Sequence, residues 1–578
     1  MIATNGTVLG IWAPLADRVD VVVGSVHRRL EPATDGWFRD DQVTPPGSRY
    51  EFSLDGGAPM PDPRSQRQPE GVFGPSEVVD HQAFTWRDAG WRGFHLPSAV
   101  LYELHIGTFT AAGTFDAALE RLDHLVDLGI DAIEIMPVAS FDGNYGWGYD
   151  GVALSAPHER YGGPGGLKAL VDAAHRHGLG VLLDVVWNHF GPTGSRCAEA
   201  GPYLREATTP WGAALNLDGP GSDEVRRYLL DSARGWYEHF HVDGLRLDAV
   251  HALVDTSPRH LLAEAAAEAE VCAAHLRRPL WLIAESDAND PRTTNPLAAG
   301  GLGMDAQWAD DLHHAVHVTL SGERDGYLAD YRGAPDVVAA YERGFIYDGR
   351  WSPARGRTVG GSTATLARSH LVTCAQNHDQ IGNRVRGDRL CHLVGARRAM
   401  IAAALVLLGP GVPMLFMGEE WAASTPFPFF AGPRDPEIDA AVTTGRIEEF
   451  SAFGWDPAQI PDPIDPATMT AATLRWHERR EPEHESMLRW HRSLIALRRA
   501  ERDLTDPTPG ASTGSVCDDI LRLRRGSVEI VVNLGPHVAS VGIGVARRLA
   551  LASSESAAID GSKLVLPPVS VAVTTALR

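Results

Sequence analysis

From Val100 onward the chain alternates short apolar runs with longer stretches in which apolar residues return every three or four positions. The runs are VLYELHIGTF from Val100, DAIEIMPV from Asp131, VLLDVV from Val181, GLRLDAV from Gly244, LWLIAE from Leu280, DAQWAD from Asp305, LVTCAQN from Leu371 and VPMLFM from Val412. Short, nearly continuous apolar runs predict strands buried on both faces, and each gap leaves room for a helix. After the first run, Phe115, Ala118, Leu119, Leu122, Leu125 and Val126 fall at helical spacing between a Thr114 N-cap and a stop at Gly129. Strand–helix alternation predicts a parallel sheet, and eight units predict closure into a (β/α)8 TIM barrel. An open dinucleotide-binding sheet is disfavoured, since no GxGxxG follows the first run. MLRWHRSLIALRR, Met487 to Arg499, predicts the last barrel helix, and LLAEAAAEAEVCAAHL a solvated one.

On either side of the barrel the pattern shortens to strands and turns. VLGIW, RVDVVVG and YEFSL, interrupted by Pro45, Pro46, Gly47, Gly56 and Gly57, predict a small antiparallel, immunoglobulin-like β-sandwich. PMPDPRSQRQPEGVFGPS, Pro59 to Ser76, is too rich in proline and polar residues for regular structure and predicts a linker lying along a surface. DILRLRR, VEIVVNL and KLVLPPVSVAVTT predict a C-terminal all-β domain. The expected division is 1–95, 96–503 and 504–578.

Composition narrows the partners. With 578 residues, 44% hydrophobic and 22% charged, the chain can bury a large core and carry additional modules. A formal net charge of -22 argues against nucleic acid or an anionic membrane as partner and is compatible with a neutral ligand. The five cysteines are scattered and odd in number, which predicts neither a disulfide framework nor a zinc site. MIATNGTVLGIWAPLADRVDV has no basic segment followed by a long apolar run, and no window approaches the ~20 apolar residues of a membrane span, so a cytoplasmic protein is expected.

Candidate chemistry starts at DGLRLDAVH, Asp243 to His251. Residues two apart on a strand share a side, so Arg246 and Asp248 face the same way. A guanidinium there would favour an ionised Asp248, as a nucleophile needs, although for this strand alone a structural ion pair is the favoured reading. Barrel chemistry gathers at the C-terminal strand ends. Tyr149 follows the second run, Asp184 and His189 the third, Arg246, Asp248 and His251 the fourth, Glu285 the fifth, and His378 and Asp379 the seventh. Three carboxylates, Asp248, Glu285 and Asp379, are therefore expected to share one pocket, which suits glycoside hydrolysis by a nucleophile and a proton donor. Glu285, behind Ile283 and Ala284 and among other carboxylates, is expected to hold its proton. Neutral His189 and His378 are expected to donate to sugar hydroxyls, and Tyr149 to offer a ring face.

DVVWNH, DGLRLDAVH, IAES and QNHDQ, in this order, resemble the four motif regions of the α-amylase superfamily, glycoside hydrolase family 13. The resemblance implies Asp248 as nucleophile, Glu285 as acid/base and Asp379 as the third carboxylate, with Tyr149, His189, Arg246 and His378 shaping the sugar subsite and Asp184 supporting Arg246. WAPLADRVDV resembles the carbohydrate-binding-module-like sandwich of branching and debranching enzymes. PDPRSQRQPEGVFGPS, NYGWGYDGV, AESDANDPR, QWADDLHHAVHVTLSGERDGYLADY, MGEEWAASTPFPFF and FGWDPAQIPDPIDP are similar to the branch that cuts the α-1,4 bond beside the terminal trehalose of maltooligosyl trehalose. That likeness implies maltooligosyl trehalose and related α-glucans as substrates and a functional partnership with a maltooligosyltrehalose synthase. A glucan branching enzyme is the alternative, and a binding protein that lost catalysis would lack one of the carboxylates. Loop residues Trp308, Asp311, Phe345, Tyr347, Trp351, Phe427 and Phe429 are expected to wall the leaving-group side. Many α-amylases use the residue at Asn188 as a calcium ligand, but the 6 to 8 oxygens calcium needs cannot be assembled here, so neither metal nor cofactor is expected.

Overall fold

Eight strands close the barrel: β1 Leu101–Leu104, β2 Ala132–Ile135, β3 Gly180–Val185, β4 Gly244–Leu247, β5 Trp281–Ala284, β6 Ala306–Trp308, β7 Leu371–Cys374 and β8 Val412–Phe416. Each pairs in parallel with the next, and β8 returns to β1. The computed structural model describes residues 6–452, 456–544 and 546–577. Phe453, Gly454 and Trp455 of the FGWDPAQIPDPIDP string, and Met1 to Asn5 of the N-terminal stretch, lie outside the described residues.

The lumen shows why the chemistry sits at one end. Leu101, Ala132, Leu182, Ile283, Ala306, Val372 and Val412, one from each of seven strands, meet in a single apolar cluster closed by Leu96 and Trp281. Two positions further along, the inward face carries Glu103, Glu134, Asp184 and Arg246. An apolar base and a charged upper layer thus follow from sequence parity alone. Glu134 is 1% exposed, and burial followed by the charge of Glu103 raises its pKa well above the ordinary value.

Several expectations need correction. The apolar runs outlast the strands: after β1, Ile106–Phe109 turn into a short helix. The predicted helix from Thr114 to Gly129 is two pieces, Phe115–Leu119 and Leu122–Leu128, and Val126 is exposed. Thr114 Oγ1 does accept from the Ala117 N–H at 3.3 Å, and Gly129 ends the second piece at φ 95°, where a side chain would be strained. Between β5 and β6 the chain forms two 3-10 turns, Pro291–Thr293 and Leu297–Ala299, instead of an α-helix. Pro291, Pro296, Gly300, Gly301 and Gly303 account for that, since proline lacks the needed N–H and glycine costs backbone entropy.

One helix, Leu390–Leu407, is long and apolar enough to cross a membrane, contrary to the reading that no such window exists. Its second half, Ile401 to Leu407, is buried. Two guanidiniums finish it: Arg498 donates to the carbonyls of Leu407 and Gly409, and Arg525 to those of Leu408, Gly409 and Leu504. Cations at a helix C-terminus satisfy its orphan carbonyls and oppose its dipole. Arg498 belongs to the helix Pro482–Ala500 and Arg525 to the C-terminal sheet, so this point joins both to the barrel.

The flanking modules are β-rich as expected. The N-terminal strands form a three-stranded and a four-stranded sheet, the C-terminal ones a five-stranded and a three-stranded sheet. The Pro-rich linker is pinned at both sides: Ser76–Glu77 pairs with Arg49–Tyr50, while Arg67 bridges to Glu159 at 2.7 Å and Arg64 to Asp231 at 3.1 Å on the barrel. All five cysteines are unbridged.

Candidate active site

Asp248 lies one residue beyond β4, where Ala249 takes a left-handed backbone (φ 41°, ψ 50°). Non-glycine residues hold that conformation only when neighbours enforce it. Here the strained Ala249 N–H donates to Glu285 Oε2 at 2.7 Å, and the Asp248 N–H to the Val185 carbonyl at 3.0 Å. The turn after β4 therefore fixes both carboxylates. Asp248 Oδ1 accepts from Arg246 Nη1 at 2.8 Å, and Oδ2 from Asn188 Nδ2 at 2.8 Å. The same Arg246 Nη1 reaches both oxygens of Asp184, and Nη2 lies 3.8 Å from Glu285 Oε2. One buried guanidinium thus stands between three carboxylates.

Trp308 explains how that guanidinium is held. Its ring lies under Arg246, with 4.2 Å from Cζ to the centroid, and is 3% exposed. The expectation that Trp308 walls the leaving-group side is therefore corrected: it supports Arg246 by a cation–π contact. Tyr149 adds a second brace, its hydroxyl donating to Asp184 Oδ2 at 2.6 Å. That orientation requires His378 Nε2, 2.9 Å away, to donate to the same hydroxyl, while His378 Nδ1 lies 2.5 Å from Glu103 Oε1. Burial opposes a charged ring, but the charge and hydrogen bond of Glu103 outweigh it and raise the His378 pKa. His378 is thus engaged at both nitrogens, and its partners favour the charged ring. One face of Tyr149 is covered by His378, with centroids 5.1 Å apart.

His189 is buried, its Nδ1 against Asn188 Oδ1, its ring stacked 5.6 Å from the half-exposed Trp211. Burial, offset in part by Asp248 and Asp150, lowers its pKa. With its amide nitrogen on Asp248 and its oxygen facing His189, Asn188 does not present its oxygen to a cation. Among the described residues no cluster of three or more His, Cys, Asp or Glu side chains could hold a metal. His251 sits exposed in the turn Val250–Ala252.

Asp379 opens the short helix His378–Gly382 and is steadied by Asn383 Nδ2 at 2.6 Å. A Cβ on Gly382 would fall 2.0 Å from the Trp147 ring, so this turn needs glycine to seat Asp379. Asp379 borders a cavity of about 310 Å³ whose lining includes Asp287, Asp310, His314, Glu323, Tyr327, Arg355 and Arg384. The charges of Asp379 and Asp310, two of its lining residues, act on the Glu285 carboxyl.

Five further loop residues expected in this wall lie elsewhere. Phe345 is fully buried with Ala309, Leu366 and Leu371 behind the barrel. Phe427 is fully buried, stacked on Trp147 at 5.3 Å and 15°. Asp311 is 3% exposed and accepts from Tyr331 at 2.6 Å, Asn289 at 2.8 Å and the N–H groups of Ile346 and Tyr347, which uses it up in loop structure. Tyr347 is likewise buried, and Trp351 projects from the hairpin Asp348–Gly360. Sequence reasoning missed Glu103, the Ala249 N–H and Asp310. A carboxylate inside the apolar first strand was the one available signal, for Glu103.

A model of the alpha amylase catalytic domain matches residues 85–208. A malto-oligosyltrehalose trehalohydrolase of Arthrobacter ramosus is 48% identical over 91% of this chain and 92% of its own. The corresponding Rhizobium sp. (strain M-11) protein is 46% identical over 97% and 96%. The chain belongs to the malto-oligosyltrehalose trehalohydrolase family. A 1,4-alpha-glucan branching enzyme of Nitrosococcus oceani is 30% identical over only 53% of the chain and 47% of its own. A crystal structure from Salmonella typhimurium, provisionally described as an alpha amylase, superposes with a TM-score of 0.90 at 35% identity, covering 100% of this chain and 98% of that one. A pullulanase from Paenibacillus barengoltzii shares the fold, with a TM-score of 0.75 at 17% identity, covering 100% of this chain and 94% of that one.

Within this family site, burial first, then Asp248, Asp379 and Asp310, raise the Glu285 pKa to about 8 against the pull of Arg246. A folded-state value above the unfolded one means that the folded protein binds the extra proton, so stability falls as pH rises from the unfolded value through about 8. Glu285→Gln, which cannot ionise, is therefore expected to melt higher than the parent at pH 9 and close to it at pH 5. Calorimetry at both pH values checks this, and an equal offset at both would refute it.

Proposed function

We propose that this chain hydrolyses the α-1,4 bond next to the terminal trehalose of maltooligosyl trehalose, releasing trehalose with retention at the anomeric carbon. The observation that carries the chemistry is Glu285 fixed by the Ala249 N–H beside an Asp248 held by two N–H donors, with burial raising the Glu285 pKa. Retaining hydrolysis needs that pair. Asp248 attacks the anomeric carbon while Glu285 passes its proton to the departing oxygen, giving a glycosyl ester and free trehalose. Glu285, now a carboxylate, takes a proton from water, whose oxygen displaces Asp248. Asp379 binds sugar hydroxyls at the cavity mouth, Arg246 steadies the charge on Asp248, and His189 with Tyr149 lines the glycone side.

The family assignment supports trehalose as leaving group, and the polar cavity beyond Asp379 offers it hydroxyl partners. Purified protein incubated with maltotriosyl trehalose, and separately with maltopentaose, should release trehalose from the first much faster than it cuts the second. New α-1,6 branches from either substrate would favour the branching reading instead.

A further inference from the structure

The helix Asp310–Ser321 opens on two adjacent aspartates with opposite surroundings. Asp311 spends its carboxylate on four donors of its own chain. Asp310, turned about 100° further round the helix axis, lines the cavity beside Asp379, and among the described residues no donor reaches its carboxylate. The ionisable groups around it are Asp379 after β7, Asp287 and Glu285 after β5, and Arg246 on β4, with Asp311 and His314 on its own helix and Glu323, Arg355 and Arg384 across the cavity. Burial, then Asp379, Asp311 and Asp287, push its pKa up to about 7. A carboxyl poised there can donate or accept, as the hydroxyl of a sugar requires.

We propose that Asp310 is a specificity-determining residue that hydrogen-bonds hydroxyls of the leaving trehalose. This rests on the function proposed above. The geometry that carries it is a partnerless carboxylate lining the cavity beside Asp379, flanked by one that is fully engaged. The competing role is a first-turn aspartate that merely steadies a helix N-terminus; it would lower thermal stability and affect every substrate alike.

Two substrates separate these roles. Maltotriosyl trehalose has a leaving sugar, whereas α-maltotriosyl fluoride has none and its fluoride departs with little help from an acid. For Asp310→Asn and Asp310→Ala, the ratio of kcat/KM on maltotriosyl trehalose to that on the fluoride should fall roughly 30- to 100-fold, the worth of a hydrogen bond to a charged or strongly polar group. Trehalose should also inhibit fluoride hydrolysis more weakly in the variants by a similar factor. An unchanged ratio with unchanged trehalose inhibition overturns the proposal. If Asp310→Ala fails to fold, the nearly isosteric Asp310→Asn decides. Absence of trehalose release by the parent protein would instead sink the function on which the proposal rests.

Discussion

Turnover of maltotriosyl trehalose by Asp248→Asn and by Glu285→Gln should fall by roughly 10³-fold or more each, because one change removes the nucleophile and the other the proton donor. Both substitutions nearly conserve volume; Glu285→Gln keeps an acceptor oxygen for the Ala249 N–H, and Asp248→Asn keeps one for Arg246 while giving up the contact from Asn188. The fold should therefore survive, and circular dichroism with a melting curve must show that it does. The parent enzyme should lose activity as pH rises through about 8, where Glu285 gives up its proton. Small anions such as azide should restore part of the turnover of Glu285→Gln on a substrate with a good leaving group, since the second step no longer needs a base. Near-parental turnover by either variant would remove these residues from the chemistry.

Arg246→Met should have the next largest effect and act on stability as well as rate. The guanidinium is 2% exposed, touches Asp184 and Asp248, and approaches Glu285. Its removal leaves carboxylates facing each other in a lumen already crowded with Glu103 and Glu134. Breaking a buried charge network this way typically costs about 3–5 kcal/mol. The carboxylates would take up protons, beginning with Asp184, whose pKa burial has already raised to about 6 despite Arg246. Asp248 would then lose its donor, and kcat should drop roughly 10²- to 10³-fold. Arg246→Lys keeps the charge but not the planar fork, and should recover stability more than rate. A melting temperature and kcat both close to the parent's would show that the guanidinium neither holds nor steadies Asp248.

All eight barrel strands were legible because strands buried on both faces write themselves as unbroken apolar runs. Their ends were not, since the chain stays apolar while it turns over the rim, as at Ile106–Phe109. The missing helix after β5 could have been read from Pro291, Pro296 and the glycines beyond, had breakers been weighed against available length. The placement of Asp248, Glu285 and Asp379 just beyond β4, β5 and β7 was legible from position. The leaving-group wall was not. Whether a loop aromatic faces a cavity or folds beneath it depends on partners remote in sequence, such as Trp147 for Phe427. In the pair Asp310–Asp311, one residue of helical register decides which carboxylate meets the cavity, and nothing local marks the difference. Trp308 was a sound choice of residue with the wrong face of the argument: its ring serves Arg246.

Retention at the anomeric carbon and the release of trehalose are both recorded by one proton NMR time course. On adding the purified chain to maltotriosyl trehalose, free trehalose should grow in equal amount with maltotriose whose first-formed anomer is α, the β signal following only by mutarotation. Maltotriose appearing first as the β-anomer, or glucose and maltose accumulating without trehalose, would contradict it.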